Sequence, residues 1–193
     1  MTEDNAFARL VSLACHDLRT PLATVHGFAT TLARSGGLEA PADRYVEMID
    51  AASAQLAELI DELSLAARIE SERYEPTPRE TDTLELAQAA AARLGEERVR
   101  VAGSGAALET DADAVERGLA ALFQSALRHG GLETVEAEVE GSEIRLAPVT
   151  SASAPVVLGD DLRDLGAAVA VLLVRRLGGS VEIDGETLRI RLA

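Results

Sequence analysis

The feature that most restricts the fold of this chain is a heptad repeat of apolar residues in its N-terminal third. Apolar side chains recur at alternating spacings of four and three, which is typical of helices that pack along one seam. Ser35-Gly36-Gly37 separates two such stretches and can end a helix. We therefore predict a helical hairpin, with one helix over about residues 3–34 and another from Pro41 to a point before Pro76. The repeat consists of Phe7, Val11, Ala14, Leu18, Pro21, Val25, Phe28 and Leu32, then Tyr45, Ile49, Ala52, Leu56, Leu59, Leu63 and Ala66.

Both predicted helices carry further apolar residues beside this seam. A hairpin that buries one seam per helix would leave them exposed to water. A homodimer through residues 1–75 that forms a four-helix bundle would cover them. The alternative is that the C-terminal part of the same chain covers them. The additional residues are Leu10, Leu13 and Leu22 on the first helix and Val46, Ile60 and Ala67 on the second.

Residues 80–193 have the alternating pattern of a small α/β domain. Thr83 and Asp111 can cap helices, and Asp184-Gly185 is a hairpin signal. We predict a mixed sheet covered by about three helices, with a loop rich in Ser, Ala and Pro that runs to about Asp160. The fold class is therefore α + α/β, an antiparallel helical hairpin followed by a small α/β sandwich. The expected helices cover residues 84–94, 113–129 and 162–177, and the strands residues 98–101, 135–139, 144–146, 181–183 and 188–192.

The charge balance excludes several classes of partner. The chain has 33 acidic and 18 basic residues and a net charge of −15. This charge argues against binding to nucleic acid or to an anionic membrane surface. We also expect no signal peptide, because Thr2-Glu3-Asp4 is acidic where a basic segment would be needed, and no membrane-spanning segment, because the longest apolar run is too short to cross a bilayer. A single cysteine fits a reducing compartment, so we predict a cytoplasmic protein.

The stretch Ala14-Cys15-His16-Asp17-Leu18-Arg19-Thr20-Pro21-Leu22 contains the candidate reactive group. In the heptad register, His16 occupies the sixth position, which is farthest from the seam. His16 should therefore project outward from the hairpin. Register alone leaves open that it is an ordinary surface histidine.

The segment from Ser12 to Leu22 closely resembles the phosphoacceptor box of bacterial two-component histidine kinases. The elements that carry the resemblance are His16, Asp17, Thr20 and Pro21 in a helical hairpin of suitable length. The resemblance implies that His16 carries a phosphoryl group and that the hairpin dimerises. It also implies that the α/β domain resembles the ATP-binding domain of that family.

The resemblance is weaker at the residues that would contact the nucleotide. Ala121 and Ser125 stand where the family's asparagine box has two asparagines, and neither replaces an Mg²⁺-binding amide well. Ser151 begins a segment that lacks the aspartate and glycines of the first glycine box. Asp164 and Gly166 stand at the last glycine box, where Asp164 places a negative charge near the expected triphosphate. We therefore predict a degenerate nucleotide site and little autokinase activity.

The chemistry that remains centres on His16. A neutral imidazole is abundant near cytoplasmic pH and can attack phosphorus through one ring nitrogen. Asp17 can accept the proton on the other nitrogen, although it could equally serve only solubility. By resemblance, Thr20 could orient a water that hydrolyses a partner's phosphoaspartate, or it could be a neutral surface residue. Arg19 and Leu22 are candidate contacts for a partner, and Arg19 could instead simply be solvated.

These observations predict a dimeric histidine phosphotransferase that relays phosphoryl groups between response-regulator receiver domains without binding ATP. We expect no cofactor and no metal site in this chain, because the receiver domain would bring its own Mg²⁺. The prediction resembles the phosphotransferases of the bacilli sporulation phosphorelay and of alphaproteobacterial cell-cycle control. Two alternatives stay open. One is an autophosphorylating sensor histidine kinase core, and the other is a pseudokinase scaffold or phosphatase that acts on a response regulator.

Overall fold

The computed structural model of this chain describes residues 3–95 and 97–193, with side chains described from Phe7 onward. The chain divides into two compact units, Met1–Tyr74 and Glu75–Ala193. The first is a helical hairpin and the second is a small α/β domain, so the predicted fold class is confirmed.

The N-terminal unit consists of α1 (Glu3–Ser35) and α2 (Ala42–Glu70). The helices run antiparallel, since an ion pair joins Arg19 to Asp61 and a hydrogen bond joins Thr30 to Asp50. Gly36 and Gly37 both adopt positive φ angles in the connection, which glycine does without steric strain. The contact between the two helices stabilises both, because most of the stability of a helix in a protein comes from its packing against other elements.

The helices do not meet along the predicted heptad seam. The stripe of α1 that is buried in the hairpin contains Ala8, Cys15 and Ala29, which are at most 6% exposed. These small side chains let the two backbones approach, whereas the larger seam residues lie on another side of each helix. The expectation that the hairpin itself buries the seam is therefore wrong, because spacing alone does not say which of two adjacent apolar stripes faces the second helix.

The seam remains exposed in the single chain. Phe28 is 69% exposed on α1, and Leu56 is 51% exposed on α2. Leu10 and Leu13, which were expected to lie beside the seam, are exposed as well. An apolar stripe of this length on both helices is unusual for the surface of a monomer. The large exposed residues of the predicted seam are Phe7, Leu18, Val25, Phe28, Leu32, Tyr45, Ile49, Leu56, Leu59 and Leu63.

The C-terminal unit contains two sheets. A two-stranded antiparallel sheet pairs the first and third strands, and a five-stranded sheet has the order β2-β4-β5-β7-β6. Strands β2 and β4 are parallel, and the other neighbours are antiparallel. The strands are β1 (Arg79–Asp82), β2 (Val99–Gly105), β3 (Ala107–Thr110), β4 (Val135–Gly141), β5 (Glu143–Ala147), β6 (Ser180–Asp184) and β7 (Thr187–Arg191).

The helices of this unit are α3 (Thr83–Ala92), α4 (Ala112–Gly130), α5 (Ala154–Val157) and α6 (Leu165–Arg176). They pack on one face of the larger sheet, where Phe123, Ile144 and Leu188 are fully buried. The sequence did not predict β1, β3 or α5. The short α5 forms in the expected loop because Val156 and Val157 can bury their side chains there.

Capping residues set the start of each main helix in this unit. The cap of α3 is Asp82 and not Thr83, because the Asp82 carboxylate accepts hydrogen bonds from the backbone N–H groups of Leu84 and Glu85. Thr83 is buried instead and donates its hydroxyl proton to Ala106 O. Asp111 caps α4 as predicted, and Asp164 caps α6.

The other face of the larger sheet is covered by charged side chains. Arg191 and Arg145 both donate hydrogen bonds to the Glu143 carboxylate, at 2.9 and 2.7 Å. These bonds, with that from Arg191 the larger influence, hold the pKa of Glu143 below its usual range. Within residues 3–95 and 97–193, no helix is long and apolar enough to cross a membrane.

Candidate functional site

His16 projects into solvent from the middle of α1. Its side chain is 78% exposed. Cys15, the preceding residue, is fully buried in the hairpin, and successive helical residues point about 100° apart. The buried stripe thus fixes the direction in which His16 projects. The predicted outward orientation of this histidine agrees with the structure.

Asp17 lies beside the imidazole ring of His16. His16 Nδ1 lies 3.1 Å from Asp17 Oδ1, within hydrogen-bonding distance. A carboxylate can only accept, so Nδ1 carries the proton in this pair and Nε2 keeps its lone pair. The ring is thereby held in the tautomer that leaves Nε2 nucleophilic. The role of Asp17 as the group that orients His16 stays a prediction, with which this distance is compatible.

The other residues predicted near His16 differ in their surroundings. Thr20 lies one turn further along α1 and is exposed. Arg19, a predicted partner contact, binds Asp61 of α2 in the single chain, with Nη2 and Nε at 2.8 and 3.2 Å from Asp61 Oδ1. Sequence reasoning could not see this pair, because the two residues are 42 positions apart. Leu22 is half-buried.

A second histidine–aspartate pair lies deeper in the hairpin. His26 Nδ1 is buried and 3.1 Å from Asp50 Oδ1, but without the alignment of a hydrogen bond. Thr30 donates its hydroxyl proton to the same Asp50 oxygen at 2.6 Å. These contacts join α1 to α2 and fix their register. They give His26 a structural environment that differs from the open surroundings of His16.

The predicted asparagine-box positions lie on α4. Ala121 is half-buried and offers no polar atom, as its type dictates. Ser125 is fully buried, and within the described part of the chain its hydroxyl has no hydrogen-bond partner. A buried hydroxyl without a partner is destabilising and uncommon in native structures. Among the described residues, the Ser125 hydroxyl is thus a buried polar group on α4 without a hydrogen-bond partner.

Asp164 stands at the N-terminus of α6 and collects three donors. Its Oδ1 accepts from the backbone N–H of Ala167 at 3.2 Å. Its Oδ2 accepts from Arg128 Nη2 at 2.8 Å and lies 3.1 Å from His129 Nε2. The Asp164 side chain is only 11% exposed, whereas Arg128 is 57% exposed. The pair Arg128 and His129 forms the last turn of α4, so this cluster joins the ends of two helices.

The Asp164 carboxylate occupies the start of α6. A helix N-terminus attracts anions, and here the Asp164 carboxylate occupies that position and accepts a hydrogen bond from Arg128. Gly166, the glycine expected to face a nucleotide, is half-buried in the first turn of α6. Ser151 lies in an exposed turn that leads into α5, where Val157 is buried in the core.

Sequence reasoning missed Arg128 and His129. Basic residues are common in the last turn of a helix, so their position gave no specific signal. Their role depends on a contact with Asp164, which is 36 and 35 positions away along the chain. Only the packing of α4 against α6 brings these groups together.

Residues 8–72 match the model of the family described as the His Kinase A (phospho-acceptor) domain. The match covers both helices of the hairpin and includes His16, Asp17 and Thr20. The segment that was identified by its resemblance to a phosphoacceptor box is thus confirmed by a family match.

Several histidine kinases are similar to most of this chain. An uncharacterized sensor-like histidine kinase of Rhizobium meliloti (strain 1021) is 29% identical over 177 residues, which cover 84% of this chain and 33% of the relative. The chain therefore spans about a third of that relative. The full-length ShkA structure in complex with AMPPNP has a TM-score of 0.67, at 21% identity, over 94% of this chain and 44% of ShkA. The histidine kinase AdeS of Acinetobacter baumannii has a TM-score of 0.59, at 16% identity, over 92% of this chain and 98% of AdeS.

These comparisons contradict the predicted ATP-independent phosphotransferase. The matching family model is that of a kinase phosphoacceptor domain, and two of the three relatives described above are histidine kinases by name. The expectation of little autokinase activity, which rested on Ala121, Ser125, Ser151 and Asp164, is not supported by these comparisons. The kinase alternative agrees better with these comparisons.

Proposed function

We propose that this chain has histidine kinase activity. The premise is that residues 8–72 belong to the His Kinase A family and that the chain has the architecture of a bacterial two-component histidine kinase core. The chain is a histidine kinase core that accepts a phosphoryl group on His16. It then passes that group to an aspartate in the receiver domain of a response regulator. The comparison with ShkA, whose structure contains AMPPNP, favours a nucleoside triphosphate as donor.

The observation that carries this proposal is the His16–Asp17 pair. The ring is exposed, its Nδ1 lies 3.1 Å from the Asp17 carboxylate, and Nε2 has a free lone pair. An incoming phosphorus can therefore be attacked without removal of a proton from Nε2. Asp17 also stabilises the positive charge that develops on the ring as the N–P bond forms.

Transfer to the receiver is an in-line displacement. The Nε2–P bond breaks as the receiver's carboxylate oxygen bonds to phosphorus, and the neutral ring is the leaving group. The ring proton stays on Nδ1, next to Asp17, during the transfer. Such reactions depend mainly on the positioning of donor and acceptor, which docking of the two proteins supplies. We expect the required Mg²⁺ to be bound by the receiver domain. Thr20 on the same helix remains a predicted contributor to phosphate removal.

The exposed apolar seam supports action as a homodimer. Two hairpins that bury this seam together would form a four-helix bundle, with His16 on the outside of each copy. His16 stays accessible in such a bundle because it lies on the side of α1 opposite to the seam. The proposed partners place this reaction in the cytoplasm, which the single cysteine and the net charge of −15 also favour.

Labelling of His16 tests the proposal. The full chain is incubated with millimolar radiolabelled Mg-ATP, and separately with a panel of receiver domains that a small phosphodonor has phosphorylated. We expect acid-labile label on the wild-type chain from ATP, followed by its transfer to a receiver. The variant His16→Gln should take no label, whereas His26→Gln, a histidine change on the same helix, should label normally.

Two results would contradict the kinase proposal. One is label that survives His16→Gln, which would place the phosphoryl group elsewhere. The other is label that arrives only from phosphorylated receivers and never from ATP.

A further inference from the structure

Arg19 of α1 lies one helical turn from His16 and is bound to α2 through Asp61. We infer that Asp61 is a positioning residue for the phosphoryl chemistry of His16 and that it acts through Arg19. Asp61 holds one edge of the Arg19 guanidinium, and the other end of that group donates hydrogen bonds to the phosphoryl oxygens on His16. This inference rests on the proposed phosphorylation of His16 and adds a residue that assists it.

A phosphoryl group on His16 places further negative charge beside an existing carboxylate. Asp17 lies 3.1 Å from the ring, and a phosphoryl group brings up to about two negative charges. Arg19 is the only basic residue between Arg9 and Arg34, apart from the histidines, and the chain has no lysine. Because residues three positions apart on a helix are neighbours, Arg19 is the basic side chain of α1 that can offset this charge.

The contact with Asp61 uses only one edge of the guanidinium. Arg19 Nε and Nη2 both donate to Asp61 Oδ1, at 3.2 and 2.8 Å. A guanidinium has five N–H donors in a fixed plane, so both N–H groups of Nη1 and one of Nη2 remain. These groups form the end of the guanidinium, which can bind two oxygens of a phosphoryl group at once. The Arg19 side chain is 47% exposed, so this end is accessible from solution.

Asp61 restricts the motion of a long side chain before the reaction. A surface arginine samples many rotamers, and fixing it costs conformational entropy. The two hydrogen bonds to Asp61 orient the guanidinium in advance, so this cost is not added when the phosphoryl group arrives. The carboxylate also offsets part of the charge of Arg19, so its contribution lies in orientation. Because Asp61 belongs to α2, this orientation depends on the closed hairpin.

Labelling of the full chain by radiolabelled phosphoramidate tests the inference without a nucleotide. His16 Nε2 bonds to phosphorus as the P–N bond of phosphoramidate breaks, and ammonia leaves. We expect Asp61→Asn to lower the initial labelling rate by about tenfold, because an amide binds a guanidinium more weakly than a carboxylate does. Asp61→Glu keeps the carboxylate and should restore most of the rate.

Asp50→Asn is the matched control. Asp50 also joins α2 to α1, through its hydrogen bond with Thr30, but Thr30 lies about 20 Å along the helix from His16. This variant should label at the rate of the wild type, although it too loses a contact between the helices. Thermal unfolding of each variant shows how much stability the two changes remove.

A double variant separates positioning from a structural role. Arg19→Gln should slow labelling at least as much as Asp61→Asn, and the two changes together should be no slower than Arg19→Gln alone, because Asp61 acts through Arg19. Equal rates for wild type and Asp61→Asn would overturn the inference. Additive losses in the double variant, or equal slowing by Asp50→Asn, would also overturn it.

The choice of donor keeps this test apart from that of the kinase proposal. A chain that phosphoramidate labels at His16 but ATP does not would contradict the kinase proposal, and the comparison of the Asp61 variants would still decide the inference. A wild-type chain that phosphoramidate fails to label at His16 would overturn the inference itself.

Discussion

The substitution Leu56→Ala tests whether the exposed seam is a dimer interface. Leu56 lies on α2, and 51% of it is exposed in the single chain. Alanine lacks three of its carbon atoms, which would contribute about 2.4 kcal/mol if they were fully buried, at about 0.8 kcal/mol per carbon. Since about half of the side chain remains to be buried, each copy should lose about 1.2 kcal/mol.

A two-fold symmetric dimer contains the change twice, so the dissociation free energy should fall by about 2.4 kcal/mol. At about 1.4 kcal/mol per factor of ten, the dimer Kd should rise by about fiftyfold. Sedimentation of a dilution series measures this Kd directly. Helix content by circular dichroism should stay unchanged in the monomer, because alanine favours helix and about half of the Leu56 side chain is already exposed to water.

Leu162→Ala is the matched control, since it removes the same atoms from a leucine that is 77% exposed in the C-terminal unit. Its dimer Kd should equal that of the wild type. The interface reasoning would be refuted if Leu56→Ala left the Kd unchanged, or if both leucine variants weakened the dimer equally. It would also fail if the wild-type chain were monomeric at every concentration measured.

Two further predictions concern single carboxylates. Asp17→Asn should slow phosphoryl transfer to His16 by about tenfold or more, because an amide accepts the Nδ1–H bond more weakly than a carboxylate, and an unchanged initial labelling rate would contradict this. Glu143→Gln should lower the free energy of unfolding at neutral pH, where Glu143 is ionised and bonded to Arg191. Because folding lowers the pKa of Glu143, this stabilisation is present above the ordinary glutamate pKa of about 4.3 and is lost as pH falls through the lowered value. Urea unfolding at several pH values should therefore show the two proteins converge in acid, and a constant difference would refute the assignment.

The sequence predicted the major elements of the C-terminal unit because their signals are local. Alternation of Val135, Ala137 and Val139 with glutamates marked β4, and these three residues are buried as that pattern requires. The predicted helix over residues 113–129 appears as α4, which ends where Gly131 adopts the left-handed conformation.

The errors arise where a local pattern allowed more than one outcome. Asp82 and Thr83 are both good caps, and the helix started after Asp82 because Thr83 is buried against Ala106. Strands β1 and β3 were missed because each has only four residues, and their pairing joins segments about 30 positions apart. The heptad pattern identified a continuous apolar seam, but the prediction that the hairpin itself buries this seam was wrong. Periodicity identifies an apolar stripe without showing which surface covers it.

By itself, the sequence determined the site at His16. The histidine and Asp17 are neighbours on one helix, so local backbone geometry brings their side chains together and the heptad register points the ring outward. Tertiary structure alone decided the arrangement around Asp164, because Arg128 and His129 reach it only when α4 packs on α6. The same holds for Arg19, whose charge is paired with Asp61 only when the hairpin closes. Contacts within one turn of a helix follow from the order of residues, whereas contacts between helices depend on how whole surfaces fit together.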